Sequence, residues 1–74
     1  MYKYSTVFEL LFHEDIGQYI SYGIICVNTL TEEIISYISD VSTKKDFVCN
    51  LAEKFTKLQL SPCHFKDALE DALL

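Results

Sequence analysis

The sequence predicts an α+β domain: an antiparallel meander of two or three strands followed by two C-terminal helices packed on one face of the sheet. Three observations carry this expectation. Residues 2–13 and 18–28 alternate with a period of two and are rich in aromatic and β-branched side chains. Residues 43–59 and 62–73 space their apolar side chains at helical intervals instead. All strand-like segments precede the helix-like ones, the order that builds α+β domains. At 74 residues the chain reads as one domain spanning 1–74.

From Tyr2 to His13 the even positions are Tyr2, Tyr4, Thr6, Phe8, Leu10 and Phe12; the odd ones are Lys3, Ser5, Val7, Glu9, Leu11 and His13. The even, more aromatic face is expected to turn inward. Glu14-Asp15-Ile16-Gly17 reads as a turn, with Gly17 free to adopt a positive φ. Gln18 to Asn28 forms the second strand. Ile20, Tyr22, Ile24 and Cys26 share one face, and Tyr19, Ser21, Gly23, Ile25 and Val27 the other. The two strands and their short turn make an antiparallel hairpin. A second turn follows at Asn28-Thr29-Leu30-Thr31. Residues 33–38, with Ile34, Ile35, Tyr37 and Ile38, suit a third strand; a short helix beginning at Thr31 is the competing reading.

The helix at 43–59 is the clearest amphipathic segment. On a wheel of ~100° per residue, Phe47, Leu58, Leu51, Phe55, Val48 and Ala52 fall within an arc of roughly 140°. Asp46, Asn50, Glu53, Lys54, Thr56 and Lys57 take the opposite side. Ser42 or Thr43 suits the N-cap, and Thr43 with Asp46 has a loose capping-box spacing. In the last helix, Ser61 is the expected cap and Pro62 the first residue, where a missing amide is harmless. Phe65, Ala68, Leu69, Ala72 and Leu73 form its apolar arc.

Composition bounds the function. Half of the residues are hydrophobic, with five Phe and five Tyr, so the chain is expected to fold. The net charge of −5 argues against direct binding to nucleic acid or to an anionic membrane, which select basic surfaces. The charge is uneven: Lys3 stands against Glu9, Glu14, Asp15, Glu32, Glu33 and Asp40 in residues 1–42, whereas Lys44, Lys45, Lys54 and Lys57 outnumber Asp46 and Glu53 in 43–60. Three cysteines, Cys26, Cys49 and Cys63, form no close pair and no disulfide framework. The N-terminal residues lack a signal-peptide layout and no run is long enough to span a membrane. A reducing, cytoplasmic setting is expected.

The second face of the predicted hairpin is the sequence's main irregularity. A half-solvated sheet alternates apolar with polar, yet this face carries Val7, Leu11, Tyr19, Ile25 and Val27. These five are the candidate interface, for a second copy or another protein. The weaker reactive candidates are Cys63, His64 and Asp67. Cys63 falls in the first turn of the last helix, where the dipole favours a thiolate, although Asp67 and Glu70 oppose it. His64 and Asp67 are helical neighbours that could share a metal only with ligands recruited by the fold, since no Cys-x-x-Cys or His-x3-His spacing exists. His13-Glu14-Asp15 at the hairpin tip needs a pocket to be catalytic.

Tyr22-Gly23-Ile24, then Asp40-Val41-Ser42-Thr43 before a helix, then Leu60-Ser61-Pro62 with His64, Asp67, Glu70 and Asp71, resemble a family of short uncharacterised bacterial proteins, mostly from spore-forming anaerobes. The family's function is unknown, so the resemblance implies a bacterial cytoplasmic origin and no ligand or catalytic residue. The expected function is a small cytoplasmic protein–protein interaction module, non-catalytic, without cofactor, and homodimeric or bound to a protein partner, with a regulatory role open to it. The competing readings are a reactive-thiol or metal-binding protein using Cys63 and His64, and an acidic nucleic-acid mimic.

Overall fold

The computed structural model describes residues 1–74 throughout. Three strands, β1 (Tyr2–His13), β2 (Gly17–Asn28) and β3 (Ile34–Ser42), precede helix α1 (Lys45–Lys57), a 3-10 turn at Pro62–His64 and helix α2 (Phe65–Leu73). The sheet is antiparallel in the order β1-β2-β3, so β2 is central and β1 and β3 are edges. The meander, its hairpin and the two C-terminal helices are those the alternation and the helical spacing predict.

The hairpin closes with His13 opposite Gly17. The Ile16 amide donates to the His13 carbonyl at 3.2 Å, and Gly17 has φ 75°. A turn followed by a left-handed glycine is a geometry that matches strand twist. The second connection is organised by Asn28, whose Oδ1 accepts from the amides of Leu30 (2.9 Å) and Thr31 (3.4 Å). The competing helix at Thr31 does not form. β3 starts at Ile34 and runs four residues beyond the expected end at 38, through an irregularity in which three residues, 39–41, face Gly23 alone. Asp40 takes φ 53° there.

The core lies under one end of the sheet. Tyr4, Ile24 and Cys26 meet Val48, Leu51, Ala52 and Phe55 of α1 and Phe65 and Leu69 of α2. Tyr4 packs edge-on against Phe55 and Phe65, with ring centroids 5.6 and 5.0 Å apart, and its hydroxyl donates to the Leu60 carbonyl at 2.7 Å. The apolar arc of α1 is therefore buried as its spacing implies, with one correction: Leu58 lies past the last turn and is exposed. The caps also differ. The α1 N-cap is Lys44 and carries no side-chain cap bond; Ser42 Oγ accepts from the Lys44 amide at 3.1 Å and so shapes the approach instead. Ser61 makes no side-chain cap either, and the residues after it begin as a 3-10 turn before α2.

Thr56, placed on the polar side by the wheel, joins helix to sheet. The Tyr4 amide donates to Thr56 Oγ1 (2.9 Å), and Gln59 brackets Tyr2, its Oε1 accepting from the amide (3.0 Å) and its Nε2 donating to the carbonyl (3.1 Å). These bonds fix a parity. The even residues of β1 point their backbone groups away from β2, and only Tyr2 and Tyr4 find partners there.

Candidate functional site

A strand of 12 residues extends about 40 Å, whereas a helix of 13 residues is about 20 Å long. The helices consequently cover only the end of the sheet that holds Tyr4, Ile24 and Cys26. β3 stops opposite Tyr22, so the hairpin beyond it projects as a two-stranded ribbon. The inward expectation for the even face fails along this ribbon. Phe8, Leu10, Phe12 and Ile20 share the face that is buried farther back, yet are 63%, 60%, 71% and 49% exposed, and Ile16 at the tip is 67% exposed. Phe8 is supported by Tyr22, directly opposite, in an edge-on contact at 6.0 Å.

The ribbon edge is open as well. By the parity set at Tyr2 and Tyr4, the amides and carbonyls of Thr6, Phe8, Leu10 and Phe12 point outward from β1, away from β2. Natural edge strands are protected by lysines, prolines, bulges or inward charges. Between Thr6 and Phe12 the single charge is Glu9, on the opposite face. Next to the covered end of this edge, a groove of about 520 Å³ separates β1 from α1, lined by Lys3, Tyr4, Ser5, Thr6, Cys49, Ala52, Glu53, Thr56 and Lys57.

The other face carries an organised polar cluster. Glu9 reaches from β1 across Gly23, which has no side chain, to the irregular part of β3. Its carboxylate accepts from the Tyr37 hydroxyl, from Ser39 Oγ at 2.7 Å and from the Asp40 amide at 2.8 Å. Asp40 accepts from Ser21 Oγ (2.6 Å) and the Tyr19 hydroxyl (2.9 Å). Partial desolvation works to raise the Glu9 carboxyl, but the Tyr37, Asp40 and Ser39 donors outweigh it and hold it below the usual carboxylate range. The Ser21 and then the Tyr19 hydroxyl hold Asp40 low in the same way. The phenols of Tyr37 and Tyr19 are pushed up by donating to these carboxylates. The cluster's donors are all spent internally. Chemically it fixes the irregular part of β3 to the hairpin, and the carboxylates of Glu9 and Asp40 face their own donors.

Val7, Leu11, Ile25 and Val27 share this face with the cluster, to which Tyr19 itself belongs, and all five are half-buried. Leu11 stands directly opposite Tyr19, Val7 opposite Gly23, Ile25 opposite Ser5 and Val27 opposite Lys3. Cys63, His64 and Asp67 are exposed; Cys63 Sγ lies 3.2 Å from Ser61 Oγ. No three His, Cys, Asp or Glu side chains gather as metal ligands do. The tip residues His13 and Asp15 approach to 3.9 Å on the surface. The ribbon face of Phe8, Leu10, Phe12 and Ile20 is absent from the residues that alternation singles out, because alternation alone assigns it to the core. The signal that finds it is the mismatch between strand and helix lengths.

No curated protein and no solved structure matches the chain. A family model, described as a family of unknown function (DUF6514), matches residues 1–74.

Proposed function

The chain belongs to this family of unknown function (DUF6514) over its whole length, and from that premise we propose a non-catalytic protein–protein interaction module that presents the apolar face of its projecting hairpin. The observation that carries the reading is the ribbon itself: five large apolar side chains exposed on one face and tip, beside an unprotected edge. A two-stranded ribbon alone in water is marginal, and contiguous apolar patches of several hundred Å² mark interaction sites. The half-buried face of Val7, Leu11, Tyr19, Ile25 and Val27 offers less free area, so the contact surface is placed on the Phe8 side. A reducing cytoplasm suits the three free thiols, and a module of this kind acts by occupying or releasing a partner, which suits regulation.

The test is the elution of the protein from lysate of its own cells on a sizing column, detected by antibody. The wild type is expected in a species larger than the 8.5 kDa monomer, and Phe8→Lys with Phe12→Lys at the monomer position. A wild type that elutes as a monomer ends the interaction reading.

A further inference from the structure

We infer that the occupant of the ribbon is a second copy of this chain, joined antiparallel through the β1 edges across a two-fold axis at Leu10. This rests on the reading of the ribbon as a contact surface and names what it contacts.

The outward amides and carbonyls of Phe8, Leu10 and Phe12 are what an added antiparallel strand bonds to. With Leu10 opposite Leu10, Phe8 of each copy stands opposite Phe12 of the other. Read at alternate positions, Phe-Leu-Phe is the same in both directions, so the edge is its own complement under a two-fold axis, as an isologous contact requires. Neighbouring registers are worse. A centre at Glu9 sets like charges opposite one another and Phe12 opposite Thr6. A centre at Leu11 leaves Phe8 against the turn residue Glu14.

The same register brings the hairpin tip of one copy beside the groove of the other. His13 of one copy then stands opposite Val7 of the other, and the turn 14–16 that follows it lies beside Thr6, at the near end of that groove. The tip carries Glu14, Asp15 and the exposed Ile16. The groove has Lys3 and Lys57 at its rim and Tyr4, Cys49 and Ala52 within. Glu53 also lines it and lies 3.5 Å from Lys57, leaving Lys3 as the free cation. The acidic tip thus faces a groove with a net positive rim, and the exposed Ile16 is carried to the mouth of its apolar lining. The pairing lays Phe8, Leu10 and Phe12 of each copy beside their symmetry mates and carries Ile16 toward the partner's groove, while Ile20, on β2, stays one strand removed from the seam; backbone bonds along the edge therefore supply much of the contact.

Two measurements on purified full-length protein test this. Light scattering on a sizing column at micromolar concentration is expected to give twice the 8.5 kDa chain mass, and Leu10→Lys the mass of one chain, with an unchanged circular dichroism spectrum. Mild oxidation of Leu10→Cys, in a background with Cys49→Ser and Cys63→Ser, is expected to yield a disulfide dimer, because paired strands hold such Cα atoms ~5.5 Å apart. Phe8→Cys in the same background is not, its symmetry mate being about 13 Å away along the strand. A purified wild type of one chain mass overturns the inference and leaves the interaction reading to its lysate test. A dimer that survives Leu10→Lys, or that cross-links from Val7→Cys or Ile25→Cys instead of Leu10→Cys, overturns it too.

Discussion

Gly23 and Glu9 show how single residues set the shape of this sheet. A Cβ at Gly23 would lie 2.7 Å from the Ile38 carbonyl and 3.1 Å from Glu9 Oε1. Gly23→Ala must therefore displace backbone, and thermal unfolding should report a loss of about 1–3 kcal/mol, the cost of overpacking. The carboxylates of the neighbouring polar cluster make the fold acid-sensitive in a stated direction. Glu9 and Asp40 are held low in the native state, so the unfolded chain binds protons first as pH falls. Their contribution is complete above the ordinary carboxylate pKa of about 4 and is lost as pH drops through the lower native values. Glu9→Gln with Asp40→Asn should be less stable at pH 7 and flatter between pH 5 and 2 in urea titrations. Burial acts on Tyr4 with the opposite sign: its hydroxyl is pushed up, chiefly by desolvation, so stability should fall as pH rises above the ordinary tyrosine value of about 10. Sequence alone presents Glu9 as one charge among the odd positions of the first strand, with Lys3 the other. Its role depends on the two extra residues of β3 opposite Gly23, a displacement that no local pattern encodes.

Elements were legible where one period ran unbroken. The alternation of residues 2–13 and 18–28 specifies two strands, and the stripe of Val48, Leu51, Ala52 and Phe55 a helix. Boundaries were less legible: Ser42, Thr43 and Ser61 all have cap-forming side chains, yet none caps, because tertiary contacts position α1 and α2 instead. The strongest of these is Phe65, 1% exposed between Tyr4 and Phe55. Phe65→Ala should cost ~3–5 kcal/mol, comparable with the entire stability of a small domain, and leave α2 undocked in amide-exchange experiments. Thr56 is subtler. Thr56→Ala strips the Tyr4 amide of its acceptor at a cost of about 1 kcal/mol, and faster exchange at Tyr4 specifically is the expected readout.

The molecule as a whole is 40 Å long and 20 Å in its shortest dimension, because its sheet outruns its helices. That asymmetry explains why the candidate site escaped the alternation: period two identifies which residues share a face, and only the lengths of the covering elements decide how much of it is covered. It also sets up a contest of charges in the proposed dimer. Each copy carries a net −5, so two copies repel over distances comparable with the Debye length, about 30 Å at 0.01 M salt and about 8 Å at 0.15 M. The acidic tip and the Lys3 rim attract, but such exposed contacts contribute only ~0–1 kcal/mol each. The long-range repulsion acts on every charge of both copies, whereas the attraction acts at two small patches. Association measured by sedimentation equilibrium should therefore tighten as salt rises from 0.01 to 0.15 M, and tighten again at low salt as pH is lowered from 7 toward the isoelectric point near 4.7. Weakening with salt would mean that the tip contacts dominate, and Lys3→Ala should then reverse the salt dependence, because the net repulsion remains to be screened, while leaving the strand pairing at Leu10 in place.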